Sequence, residues 1–326
     1  MKSIFPAKLQ AGDTVAVIAP SRSLAMISPN VQEIANQRFH ELGLKLVFGN
    51  HVSESDIFHS SAIASRVTDL HDAFSNTEIK AVLTVIGGYN ANQILRYLNW
   101  DLIKSNPKIF CGYSDITVLS NAIYAKTGLI SYSGPHYSSF GQKLHFDYTL
   151  NHLQKCLMSH DPFIITPSSE WSDDKWYLDQ NKRTLVANPG WLTVHPGQAS
   201  GTIIGGNLCS LNLLQGTEYM PALDDSILFL EDDELAFPEE FDRNLQSLLH
   251  LPGFSRVQGI IFGRFQNASK LTNEKLMSIV KTKQELENMP VIANVDFGHT
   301  DPKITFPVGG TVEINTNPLQ IKIIQH

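Results

Sequence analysis

Cysteine is scarce. The three residues, Cys111, Cys156 and Cys209, are scattered and odd in number, which argues against a disulfide framework. No apolar run approaches the length of a membrane span. The first eight residues are interrupted by Lys2, Pro6 and Lys8 and offer no apolar signal segment, so a cytoplasmic protein is expected. A basic stripe is also missing: 25 Lys and Arg stand against 32 Asp and Glu, a net charge of −7, which excludes a general nucleic-acid surface. Neither Gly-x-x-x-x-Gly-Lys nor Gly-x-Gly-x-x-Gly occurs, and with them go the Walker and Rossmann phosphate loops. The twelve histidines show no His-x-x-x-His pair and the cysteines no Cys-x-x-Cys, so a zinc site is not expected.

What is present is a globular composition, 42% apolar and 17% charged, over 326 residues, long enough for two domains. Asp13–Ala19 is an apolar run ending in Pro20-Ser21 and reads as a buried parallel strand. Val31–Leu42 then has helical spacing, Leu44–Phe48 reads as a strand, and Ile63–Phe74 as a helix. Lys80–Ile86 is a further strand that stops at Gly87-Gly88, and Asn92–Leu98 starts the next helix. Strand–helix alternation of this kind predicts a parallel sheet with helices on both faces, and ligands gather at the C-terminal ends of its strands. The texture changes near residue 160. A polar stretch holding Trp171, Trp176 and Trp191 is followed by short β-rich runs at 201–204, 227–230, 257–262, 291–295, 312–314 and 321–324. Helical spacing there is confined to 207–214, 239–249 and 273–287. The expected fold class is α/β: an N-terminal parallel-sheet domain (1–160), a linker or flap (161–190) and a C-terminal mixed, β-rich domain (191–326).

Four places hold residues that can do chemistry. The stretch 108–128 runs from a short strand, Ile109–Cys111, through Gly112 into a helix marked by Ile116, Leu119, Ala122 and Ile123. Ser114 sits on that corner, lifted off the sheet beside helix N-terminal amides, as a nucleophile requires. Ser114 and Asp115 also read as ordinary helix caps, and Ile116 stands where Gly-x-Ser-x-Gly has its second glycine. Gly87-Gly88 lets backbone approach a ligand and offers amides to an oxyanion, but equally suits a plain tight turn. Strand 226–231 leads into four acids, Glu231–Glu234, with Ile227, Phe229 and Glu231 on one face and Leu228, Leu230 and Asp232 on the other. A carboxylate at such a tip can orient a histidine; a solvated loop or a divalent-cation site fits the same pattern. His299, in Phe297-Gly-His-Thr300 after an apolar strand, is placed as a general base, with His136 as its rival. Cys111, on the strand side of Gly112, offers a thiol alternative.

Together these stretches resemble the LD-carboxypeptidase/microcin C immunity family of serine peptidases. The resemblance lies in Ile86-Gly-Gly-Tyr-Asn-Ala-Asn-Gln93, Gly112-Tyr-Ser-Asp115, Gly205-Gly-Asn-Leu208 with Leu230-Glu-Asp232, and Phe297-Gly-His-Thr300, in family order over essentially the whole chain. It implies a Ser114–Glu231–His299 triad at a domain interface, an oxyanion hole from the amides of Gly88 and Asp115, and a homodimer. It also implies substrate contacts at Gly87, Asn207 and Trp176, with no metal or organic cofactor. Cell-wall members typically carry arginine before the glycine pair, where this chain has Ile86. With Gly216-Thr-Glu-Tyr-Met-Pro221 and the Trp-rich insertion, the chain is more similar to the microcin C immunity branch, which hydrolyses an amide between an aminoacyl group and a nucleotide-like moiety. A small peptide or aminoacyl-nucleotide is therefore the expected partner. A murein tetrapeptide substrate and a non-catalytic two-lobed binder are the alternatives. The binder predicts that Ser114 and His299 lie far apart.

Overall fold

Thr14–Ile18 (β1) is a run of apolar and β-branched residues buried on both faces, which is why it becomes a central strand. In the computed structural model, which describes residues 2–326, it is flanked by β2 (Lys45–Phe48) and β3 (Ile79–Thr84), followed outward by β4 (Ile109–Gly112) and β5 (Ser131–Ser133). The order β2-β1-β3-β4-β5 is parallel throughout. Helices α1 (Pro29–Glu41), α2 (Ile63–Ser75), α3 (Trp100–Ser105) and α4 (Thr117–Thr127) make the crossovers. On β1, Val15 and Val17 face one core with Phe39 of α1, while Ala16 and Ile18 face the other with Phe74 of α2. That alternation places helices on both faces.

Beyond residue 160 the architecture is β-rich, as expected. The helix α5 (Asp147–Met158) precedes β6 (Phe163–Ile165), β7 (Glu170–Trp171), β8 (Val186–Ala187), β9 (Leu192–His195) and β10 (Gln198–Asn207). After α6 (Leu208–Asn212) come β11 (Ser226–Glu231), α7 (Pro238–Leu249), β12 (Gly259–Gly263), α8 (Asn273–Lys281) and β13 (Val291–Val295). Short β14 (Phe306–Val308), β15 (Thr311–Thr316) and β16 (Leu319–Gln325) close the chain. The eight-stranded sheet runs β6-β16-β15-β10-β11-β12-β13-β9, with a parallel centre from β10 to β13. Ile227 and Phe229 of β11 enter one core, Leu228 and Leu230 the other, matching the two faces read from the sequence.

The two sheets share both cores, and β14 pairs antiparallel with β5, adding a late strand to the first sheet. Residues 161–190 are more than a connector. Within them β6 is an edge strand of the second sheet and β7 pairs with β8. The stretch 92–98 forms a 3₁₀ turn, Ala91–Tyr97, in place of an α-helix. The C-terminal ends of β3 and β4 and the ends of β11 and β13 converge where the sheets meet. No helix among the described residues is long and apolar enough to cross a membrane.

Candidate active site

Ser114 follows an extended Tyr113 (φ −138°, ψ −168°) and itself adopts φ +61°, left-handed for a residue that is not glycine. An L-residue held there costs on the order of 1–2 kcal/mol, and the packing around it must supply that. Ile116, fully buried, anchors the turn from below as α4 begins. The corner therefore needs no second glycine. Gly87 approaches from the end of β3: a Cβ there would stand 2.8 Å from Ser114 Cβ and 3.0 Å from its Oγ.

The three polar residues meet in one chain. Ser114 Oγ lies 2.9 Å from His299 Nε2, and His299 Nδ1 lies 2.7 Å from Glu231 Oε2. Glu231, at the tip of β11, is 2% exposed and accepts the Nδ1 proton, leaving Nε2 to accept from the serine hydroxyl. Room for the carboxylate comes from Gly298. At φ +99°, a Cβ on that residue would stand 2.5 Å from Glu231 Oε2. Tyr113 packs edge-on to His299 at 5.4 Å and stacks on His136 at 4.3 Å. His136, buried and bonded to Thr84 Oγ1 at 2.8 Å, has its pKa driven well below the ordinary imidazole value, by burial first and then by the charges of His299 and Lys303. It is a neutral packing neighbour of His299, outside the Ser114–His299–Glu231 hydrogen-bond chain.

Burial alone would lower the His299 pKa. The adjacent Glu231 charge and its hydrogen bond outweigh burial, so the net shift is upward. The neighbouring Asp232 is pushed up to about 7 by burial and by the charge of Glu231. A base must be neutral to take the serine proton, so raising its pKa moves the acid limb of kcat/KM to higher pH. The limb is expected above the midpoint of an unperturbed imidazole, and Glu231→Gln should move it downward while lowering kcat. A pH–rate profile of both enzymes checks this. A limb at or below the ordinary value, or one that Glu231→Gln leaves in place, would contradict it.

Asp115 turns its carboxylate away from Ser114 Oγ. Its Oδ2 accepts from Ser21 Oγ at 2.6 Å and from the Ala91 amide at 2.9 Å, tying the loops after β1 and β3 to the serine corner. Among the described residues the amides of Gly87 and Gly88 donate to no backbone carbonyl. Asn207 caps α6 through Oδ1, 2.9 Å from the Ser210 amide, and donates from Nδ2 to Asp232 at 3.1 Å. These two bonds fix the orientation of the Asn207 side chain between α6 and Asp232. Its own amide donates to Thr117 Oγ1, and Asn121 of α4 bridges the N–H and C=O of Gly205. These bonds stitch the serine helix to the second sheet. Sequence reasoning missed Thr117, Asn121 and Ser21, since isolated polar residues beside apolar runs carry no motif.

The Trp-bearing segment is fastened to the histidine turn. Ser172 and Asp301 exchange backbone hydrogen bonds of 2.7 and 2.8 Å, and Lys175 lies 3.9 Å from Glu234. Trp191 donates to Asp296 and packs on the core, Trp171 lies under Arg264, and half-buried Trp176 packs against the same core beside Tyr177. The structure thus brings Ser114, Glu231, His299, Gly87 and Asp115 together, while Trp176 stands outside this bonded cluster. Cys111 is buried behind Gly112, with its thiol pKa raised strongly by burial, so it is no competing nucleophile. The 2.9 Å between Ser114 and His299 is also the opposite of what a two-lobed binder predicts.

Comparison with known proteins gives the same direction. Residues 15–134 match the LD-carboxypeptidase N-terminal domain and residues 200–314 the LD-carboxypeptidase C-terminal domain. "Putative carboxypeptidase YocD" of Bacillus subtilis is 50% identical over 95% of this chain and 96% of its own. The crystal structure of an MccF-like protein from Bacillus anthracis superposes with a TM-score of 0.98 at 48% identity, covering 99% of this chain and 100% of the other. MccF, the microcin C7 self-immunity protein of Escherichia coli, solved in complex with glutamyl sulfamoyl guanosine, gives 0.87 at 30% identity over 98% of both chains. The chain belongs to the LD-carboxypeptidase family and is a serine-type carboxypeptidase of its MccF-like group.

Proposed function

We propose that the enzyme cleaves an amide joining an aminoacyl or peptidyl group to a nucleotide-like moiety, with Ser114 as nucleophile. The observation that carries this reading is the unbroken Ser114–His299–Glu231 hydrogen-bond chain at a left-handed serine. His299 Nε2 takes the hydroxyl proton as Oγ attacks the scissile carbonyl, while Glu231 stabilises the imidazolium. The amides of Gly88 and Asp115 receive the oxyanion, each contributing about 3 kcal/mol of transition-state stabilisation. The imidazolium then protonates the leaving nitrogen, the C–N bond breaks, and an ester on Ser114 remains. Water, deprotonated by the same imidazole, releases the acid and restores the serine.

The substrate class is supported by the aminoacyl sulfamoyl nucleosides carried by MccF structures. Incubation with aspartyl sulfamoyl adenosine is expected to give aspartate and sulfamoyl adenosine, read by liquid chromatography. An intact compound, with a murein tetrapeptide shortened in its place, would move the enzyme to the cell-wall reading. Trp176 is assigned to stacking on the nucleobase, a contact worth about 1–3 kcal/mol. Trp176→Ala should raise KM for that compound about tenfold or more and leave hydrolysis of a base-free peptide nearly unchanged. Equal losses on both substrates, or none, would remove the stacking role.

A further inference from the structure

In the first sheet the strand order reverses between β1 and β3, and ligands of open parallel sheets sit in the crevice at such a reversal. The loop after β3 carries Gly87-Gly88. The loop after β1 carries Arg22, a residue with no part in the scheme above. Its amide donates to the Gly87 carbonyl at 3.3 Å. A Cβ on Gly88 would stand 2.9 Å from Arg22 Cγ, as one on Gly87 would stand 3.0 Å from Ser114 Oγ. The glycine pair is therefore sandwiched between the nucleophile and the stem of an arginine. The guanidinium lies over the ring of Tyr89, 5.0 Å from its centroid, and that ring is 64% exposed.

Among the described residues no carboxylate pairs with Arg22, and its Nε is buried without a partner. In a chain of net charge −7, an arginine whose stem packs on the glycine pair beside Ser114 and that meets no acid is a vacant cation. Its planar fork matches two oxygens of an oxyanion, and the Tyr89 ring orients that fork beside the glycine pair. We infer that Arg22 binds the anionic group of the substrate beside the scissile amide, either a carboxylate or a phosphoryl-type group. This inference rests on the acyl-transfer reading of the Ser114 site. A carboxypeptidase substrate carries a C-terminal carboxylate and a nucleotide carries a phosphoryl or sulfamoyl group, so both sources present the same pair of oxygens.

The test is isothermal calorimetry on the intact chain and on Arg22→Gln and Arg22→Lys. The probes are adenosine monophosphate against adenosine, and N-acetyl-alanyl-alanine against its C-terminal amide. The wild-type protein is expected to prefer the charged member of one pair, and Arg22→Gln to weaken that member about tenfold or more with the neutral member unchanged. Arg22→Lys should retain part of the preference, since it keeps the charge and loses the fork. The pair that responds names the source. Charged and neutral probes bound alike by the wild type, or weakened alike by Arg22→Gln, would overturn the assignment, as would full affinity in that variant. Affinity and hydrolysis are separate readouts, so the two readings fail separately: a Ser114→Ala enzyme with normal hydrolysis ends acyl transfer at Ser114 whatever the calorimetry shows.

Discussion

Ser114→Ala is expected to lower kcat by about 10⁴- to 10⁶-fold, His299→Ala to do the same, and the double substitution to add almost nothing. The reason lies in the 2.9 Å contact between Oγ and Nε2. A hydroxyl at its ordinary pKa is a weak nucleophile, and the imidazole is useful only while it can take that proton as the bond to carbon forms. Removing either group ends the concerted transfer, so the second removal has nothing left to lose. What remains is catalysis by the oxyanion amides and by binding, which explains why the floor is above zero. Steady-state rates of the two single variants and the double variant test this. Losses that multiply would mean the two side chains act independently, contrary to the geometry.

Gly298→Ala is expected to be the most damaging change outside Ser114, Glu231 and His299, lowering kcat by about 10²- to 10⁴-fold. Two costs coincide at this position. The backbone sits at φ +99°, where an L-residue is strained, and the new methyl would lie 2.5 Å from Glu231 Oε2 and 2.8 Å from its Cδ. The carboxylate has to retreat, and His299 then loses both its orienting acceptor and the charge that raises its pKa. Gly216→Ala separates the two costs. It has a similar left-handed backbone, φ +74°, but nothing within 4 Å of the added methyl. Both variants should lose stability, and only Gly298→Ala should lose turnover. Activity lost equally in both would show that backbone strain, not displacement of Glu231, is responsible.

The parts of this site that were legible in the sequence share a physical signature. Each is a strand end followed by a glycine or by a change in polarity. Phe229 and Glu231 alternate with Leu228 and Leu230 because β11 is buried on both faces, so the face carrying the acid could be read directly. Gly112 before Ser114 and Gly298 before His299 mark backbone that must turn sharply or make room. Other features left no such trace. β14 is three residues long and contains Pro307, and only its pairing with β5 makes it a strand. The 91–97 segment has helical spacing but closes as 3₁₀ turns beside the crevice. Asn207 reads as a substrate contact in its motif, and its bond to Asp232 appears only when β10 and β11 lie side by side. Arg22 is invisible for the same reason, since Gly87 and Gly88 lie 65 and 66 positions away in the chain and meet it through the β1–β3 pairing.

The most direct test of the central claim is covalent. A fluorophosphonate attacks only a serine whose proton is being withdrawn, and intact-mass and peptide mapping locate the adduct. One adduct per chain is expected on the peptide containing Ser114, with labelling slowed at least about 10³-fold in His299→Ala. Labelling at another residue, or an adduct on Ser114 that forms equally fast without His299, would contradict the account.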